Sequence, residues 1–183
     1  MKTGEIVRRF AAKDGRKVVL RKVRWEDLDD LMETINSLVD EKAEITVSEK
    51  VSRDEEIDWL ANLMRLVEKG KRFYLVVEVE GKVAGVAEVQ ADSRDCARHV
   101  GVVGIVLKKG YRDVGIGTEV MKTLIEHAPL MGLKILTLSA FATNKRAINV
   151  YRRVGFVETG RVPKKFLREG QYVDEVIMAK TLE

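Results

Sequence analysis

The chain has 183 residues, 45% of them hydrophobic and 34% charged, and its 33 Lys and Arg against 29 Asp and Glu leave a formal net charge of +4. That length and balance suit a compact domain with a sizeable core and exclude a disordered polar chain, and the basic surplus is too small and too interspersed with acid to imply a nucleic-acid partner. No apolar run approaches the roughly 20 residues of a membrane-spanning helix and no signal-peptide pattern opens the chain, so a cytoplasmic location away from membranes is expected; one cysteine, Cys96, and two distant histidines, His99 and His127, offer neither a disulfide framework nor metal-ligand spacing.

In chain order, residues 7–12 and 18–21 flank an Asp14-Gly15 turn signal and read as a hairpin, with an accessory strand inside residues 1–16. Trp25, Leu28, Leu31, Met32, Ile35, Leu38 and Val39 recur every three or four residues and predict a helix with one buried face. Residues 40–51 read as a loop or broken helix. Ser52 followed by Glu55 forms a capping box, after which Ile57, Leu60, Leu63, Met64 and Val67 carry a second helix. Residues 73–79 and 83–89 around Glu80-Gly81-Lys82 predict an antiparallel hairpin. Residues 100–107 are apolar at almost every position, as a central strand buried on both faces would be, and Gly104 within them marks either an opening in the sheet or close packing. Ile116, Val120, Leu124 and Ala128 define a helix, followed by a strand over 135–141, a helix over 146–153, and strands over 156–159 and 172–180. The order is mixed α+β, without a repeat or composition break, so residues 1–183 are expected to form a single domain.

The sharpest local feature is the glycine-rich stretch over 108–117, placed between the apolar strand and an amphipathic helix. Glycines there let the chain turn tightly and leave N–H groups open, and a helix N-terminus adds partial positive charge, so a pyrophosphate would be well accommodated, with Arg112 as a cationic contact. Two other phosphate motifs fail on spacing. Gly110 and Gly115 stand as in a P-loop, but Ile116 and Gly117 occupy the places of its Lys and Ser or Thr, and Val120 stands where a dinucleotide fingerprint needs its third glycine. A second segment, residues 144–156, offers Asn144 as a helix N-cap and Gly155 just past the helix end. Asn144, Ile148 and Tyr151 share one helix face; Tyr151 is open to two readings, a tyrosine packed beneath the sheet or a functional phenol.

Together the two segments resemble the GNAT superfamily of N-acetyltransferases. Arg112-x-x-Gly115-x-Gly117 looks like that family's pyrophosphate loop, and residues 144–156 look like its following helix motif. Leu20-Arg21 through Asp27-Leu28 and the segment 166–178, with Gly170, Tyr172 and Asp174, extend the resemblance over most of the chain from residue 17. The resemblance implies a splayed, mostly antiparallel central sheet with helices on both faces. It also implies acetyl-CoA as co-substrate, with its pantetheine arm along Ile105, Val106 and Leu107. The pyrophosphate would lie on Arg112, Asp113, Val114, Gly115, Ile116, Gly117 and Thr118, with Asn144 at the arm or acyl end. Tyr151 falls on the position of the family's general acid, and a phenol with a reference pKa near ~10 keeps its proton at neutral pH for a departing thiolate. A strand N–H such as that of Val106 would polarise the thioester oxygen.

The apolar strand carries no carboxylate, although relatives often place a glutamate there. Glu88 on the preceding strand is the first candidate for the base, with Glu41, Glu44 and Asp174 behind it. The acceptor would be a small-molecule amine or a peptide amino group, met between residues 41–52 and 164–172, and a homodimer is expected from the resemblance. No metal is expected. The alternative is a non-catalytic acyl-CoA-binding sensor or scaffold; Cys96 as an acyl-carrying nucleophile lacks the third group such residues need.

Overall fold

A computed structural model describes residues 3–182. Eight strands, β1 (Ile6–Ala11), β2 (Lys17–Lys22), β3 (Arg72–Val79), β4 (Lys82–Ala91), β5 (Val100–Leu107), β6 (Ile135–Phe141), β7 (Val157–Arg168) and β8 (Gln171–Thr181), form one sheet in the order β1-β2-β3-β4-β5-β6-β8-β7. Four α-helices accompany them: α1 (Leu28–Asp40), α2 (Arg53–Glu68), α3 (Ile116–His127) and α4 (Lys145–Arg153). All neighbouring strands run antiparallel except β5 and β6. This is the mixed, mostly antiparallel fold expected from the sequence.

Alternation along β3 explains how the sheet holds helices on both faces. Phe73, Leu75, Val77 and Val79 join the core that includes Ile116, Val120 and Leu124 of α3 and Ile148 of α4, while Tyr74 and Val76 join Leu31 of α1 and Leu60, Leu63 and Met64 of α2. Leu60 and Leu63 are fully buried, each worth roughly 1.5–3 kcal/mol over exposure. The start of α2 is fixed by the expected capping box: Glu55 N–H donates to Ser52 Oγ (3.3 Å) and Ser52 N–H to the Glu55 carboxylate (2.8 Å). Glu80 and Gly81 both have positive φ, 50° and 77°, as a two-residue hairpin turn with the strand twist requires. Beneath the start of α1, Arg21 donates two 2.7 Å hydrogen bonds to Asp27 and is also paired with Glu78.

Three expectations shift. Trp25 is 49% exposed in a 3-10 turn (Trp25–Asp27) ahead of α1, not on that helix's apolar face. The strand expected over 156–159 runs through Val157–Arg168, because it gains its order by pairing with β8 rather than from an apolar face of its own. Lastly, β5 is not buried on both faces: Val103 is buried, but Val102 is 49% exposed and residues 104–107 are half-buried. The cause is a parting of the sheet. The parallel β5–β6 ladder registers Val100 with Ile135, Gly101 with Leu136 and Val102 with Thr137, and goes no further.

Candidate active site

A cavity of about 1150 Å³ occupies the gap where β5 and β6 part and opens to both faces of the sheet. The β4–β5 ladder fixes which backbone groups face it. Asp92 N–H donates to Val100 C=O (2.9 Å) and Lys108 N–H to Ala84 C=O (2.8 Å), so the two ends of the ladder share one phase. In an antiparallel pair, residues alternate between bonding their partner and facing away. Val102, Gly104 and Val106 therefore bond β4, and Ile105 and Leu107 turn their N–H groups into the gap. The amide of Val106, expected to polarise a thioester oxygen, points the other way, into the β4 ladder, and the neighbouring amide of Ile105 faces the gap.

At the end of β5 the glycine-rich loop reaches α3. Gly115 caps the helix at φ 86°, and the first intrahelical bond runs from Glu119 N–H to Gly115 C=O (3.3 Å). The N–H groups of Ile116, Gly117 and Thr118 precede that bond and no side chain caps them, so three donors and the positive end of the helix dipole stand open. Arg112, Asp113, Gly115, Gly117 and Thr118 line the cavity, whereas Val114 and Ile116 send their side chains into the core. Arg112 is already engaged: its Nε donates to Leu107 C=O (2.7 Å), and its other arm pairs with Glu41 of the α1–α2 loop. Asp113 pairs with Arg146 at 3.1 Å.

On α4, Asn144 is the N-cap, its Oδ1 accepting from Ala147 N–H at 3.1 Å, and it lines the cavity with no hydrogen bond from its NH2 among the described residues. Tyr151 also lines the cavity, although only 8% exposed, and its hydroxyl makes no hydrogen bond among the described residues. Burial raises its pKa to about 12. Tyr151 thus belongs to the core and also borders the gap.

Glu88 lies on the opposite face of the sheet from α4. It registers between Tyr74 on β3 and Gly104 on β5, so these three form one row across the strands ending at the gap, and its carboxylate pairs with Arg72. The other expected carboxylates are occupied elsewhere: Glu41 with Arg112, Glu44 accepting from Thr143 Oγ1, and Asp174 accepting from Lys164 N–H at 2.9 Å. Cys96 and His99 are exposed and outside the cavity lining. Four further cavity residues, Glu56, Trp59, Arg72 and Tyr74, were not singled out from the sequence. Glu56 and Trp59 lie on α2 and Arg72 and Tyr74 on β3, and only the docking of that helix over that strand brings the four to one cavity.

Among the described residues no cluster of His, Cys, Asp or Glu could hold a metal ion, and no helix is long and apolar enough to cross a membrane. The L-amino acid N-acetyltransferase AaaT of Escherichia coli (strain K12) is 30% identical over 117 residues, 63% of this chain and 72% of that protein. Among solved structures, an acetyltransferase of the GNAT family from Streptococcus pneumoniae aligns with TM-score 0.81 at 24% identity, over 91% of this chain and 99% of that one. A GNAT superfamily phosphinothricin acetyltransferase from Sinorhizobium meliloti, in complex with AcCoA, aligns with TM-score 0.80 at 21% identity, over 90% and 88%. Residues 28–156 match the acetyltransferase (GNAT) family model, and the chain belongs to that family of acetyltransferases.

Proposed function

We propose that this protein moves an acetyl group from acetyl-CoA to the amino group of a small molecule or peptide, by direct attack of the amine on the thioester. The observation that carries the proposal is the gap itself, where uncapped helix donors, cleft-facing strand amides and the Tyr151 hydroxyl border one cavity open to both faces of the sheet. The pantetheine arm lies along β5 as a pseudo-strand against the N–H group of Leu107. Its pyrophosphate takes the open N–H groups of Ile116, Gly117 and Thr118. The NH2 of Asn144 meets the arm near its acyl end, and the N–H of Ile105 polarises the carbonyl oxygen.

The acceptor arrives from the α1–α2 face, where Glu88 stands in the row ending at Gly104. Its nitrogen bonds to the acetyl carbon as the C–S bond breaks. Glu88, held by Arg72, accepts the proton the amine loses, directly or through a water, and Tyr151 donates its phenolic proton to the leaving sulfur. The acid strength of Tyr151 sets a condition. At about 12 the phenol is a weaker acid than a thiol of reference value ~8.5, so complete transfer is downhill only to a thiolate that the same buried gap has desolvated. Burial of the sulfur beside Tyr151 is therefore part of the mechanism.

The test is calorimetric titration with acetyl-CoA, followed in the same preparation by release of free thiol against a panel of amines and short peptides. Binding with amine-dependent release supports the proposal. Absence of binding rejects it.

A further inference from the structure

The two halves of the cavity carry opposite charge. On the α3–α4 face it is lined by Lys13, Arg112, Arg146 and Arg153 against Asp113; on the α1–α2 face, by Glu44, Glu55, Glu56 and Glu88 against Arg72 alone. The positive half suits the phosphates of the cofactor. The negative half is where the acceptor enters, and its one cation is already spent, because Arg72 pairs with Glu88 and lies over the rings of Trp59 and Tyr74, 5.8 Å from each centroid. An acceptor bearing a carboxylate, such as an α-amino acid, finds no unengaged cation there among the described residues.

Glu56 is the unusual member of this half. It is 6% exposed, and it makes no ion pair or side-chain hydrogen bond among the described residues. Glu55, its neighbour, is satisfied by Ser52, and Glu44 by Thr143. No side-chain oxygen of the described residues is both fully buried and unpaired, so the Glu56 carboxylate keeps contact with the cavity it lines, and desolvation by its surroundings raises its pKa. Its place is defined by two neighbours. Trp59, three residues on, shares its helix face, and the pKa of Tyr74, raised chiefly by burial and then by Glu88, is raised further by Glu56. Trp59 packs on Tyr74 with ring centroids 5.7 Å apart, so the turn of α2 that carries Glu56 lies over β3 at Tyr74, which is two strand spacings from Gly104 at the gap, on the order of 10 Å. That is too far to take the proton of the reacting amine and far enough to hold a second charge on the same molecule.

We infer that the acceptor is a cation carrying a second positive charge, a linear diamine or polyamine, and that Glu56 is its anchor, pairing with the distal ammonium while the near amine lies by Glu88. The inference rests on the transferase reading above and names its substrate class. Trp59 and Tyr74 contribute aromatic surface beside the paired charge.

The experiment compares spermidine and putrescine with n-butylamine and with L-methionine, in the wild-type protein and in Glu56→Gln, by thiol release and by calorimetric binding of each amine. In the wild type, kcat/KM for the polyamines is expected to exceed that for n-butylamine by roughly 10- to 100-fold, the size of a charge-assisted contact. Glu56→Gln should raise KM for the polyamines by about that factor while leaving kcat, the KM for n-butylamine and the affinity for acetyl-CoA within about threefold. An unchanged polyamine-to-monoamine ratio in Glu56→Gln, or a wild-type preference for L-methionine, would overturn the assignment. Binding separates the two levels of the argument. Polyamine binding that depends on Glu56, without any acetyl transfer, sustains the charge reading and rejects the transferase reading; transfer that ignores Glu56 does the reverse.

Discussion

Gly117 offers a perturbation in which folding and binding should move in opposite directions. It is the second residue of α3, and a Cβ built there would meet only Leu107 Cδ1, at 3.8 Å, an ordinary van der Waals distance. Its φ is not in the left-handed region, so alanine is accommodated without backbone strain. Replacing glycine by alanine in a helix is worth about 0.5–1 kcal/mol, or roughly 1–4 °C in Tm for a chain of this size. If the pyrophosphate lies against the open N–H groups of this turn, the added methyl stands where the phosphate must approach. Weakening one hydrogen bond to a charged group costs about 1.5–3 kcal/mol, or about 10- to 150-fold in Kd. Gly117→Ala should therefore melt slightly higher than the wild type and bind acetyl-CoA at least ~10-fold more weakly, as read by thermal denaturation and titration calorimetry. Gly115→Ala is the contrast: φ 86° and contact with Lys13 Cγ at 3.3 Å make it destabilising whatever binds. A Gly117→Ala protein with unchanged affinity would show that the start of α3 does not hold the phosphates.

Other substitutions probe separate parts of the site and fold. Tyr151→Phe should lower kcat by about 10²- to 10⁴-fold with acetyl-CoA affinity within about threefold, and since the wild-type phenol titrates at about 12, no fall in rate from its ionisation should be seen between pH 9 and 10; equal loss of binding and rate would make it structural. Glu56→Gln should stabilise the protein at pH 7 and not at pH 4. Folding raises the Glu56 pKa above 4.5 by burial, so between that value and the higher folded one the native state holds a proton the unfolded chain has lost, and stability falls as pH rises, by at most about 1.4 kcal/mol per unit. Arg72, Tyr74 and Glu88 are unchanged in that comparison, and a gain equal at both pH values would contradict the linkage. Asp27→Ala strands Arg21, whose side chain is 5% exposed, and should cost about 3–5 kcal/mol, toward the lower end because Glu78 remains. A loss below about 1 kcal/mol in chemical denaturation would refute the burial argument.

What could be read from the sequence was what is decided locally. The Ser52–Glu55 box, the Glu80-Gly81 turn, the glycine-rich run into α3 and the Asn144 cap each depend on a few neighbouring residues, and each forms as expected. What was missed depends on partners distant in the chain. The length of β7 comes from β8, whose ladder carries it past Pro163 through mostly exposed residues. The half-buried end of β5 comes from β6 leaving it after Thr137, which no pattern within residues 100–107 encodes. The direction of the Val106 amide depends on the phase of the β4 ladder. Glu56 reads as an ordinary acid in the first turn of a helix, and only the docking of α2 over Tyr74 takes it out of water.

The measurement that bears most directly on the central claim is release of free CoA thiol from acetyl-CoA by the purified protein, followed with and without an added amine. Release that requires the amine, saturates with it, and falls at least ~100-fold in Tyr151→Phe while acetyl-CoA still binds is the expected result. Tight binding of acetyl-CoA with no release across amines, polyamines and peptides would contradict catalysis and leave a protein that only holds the cofactor.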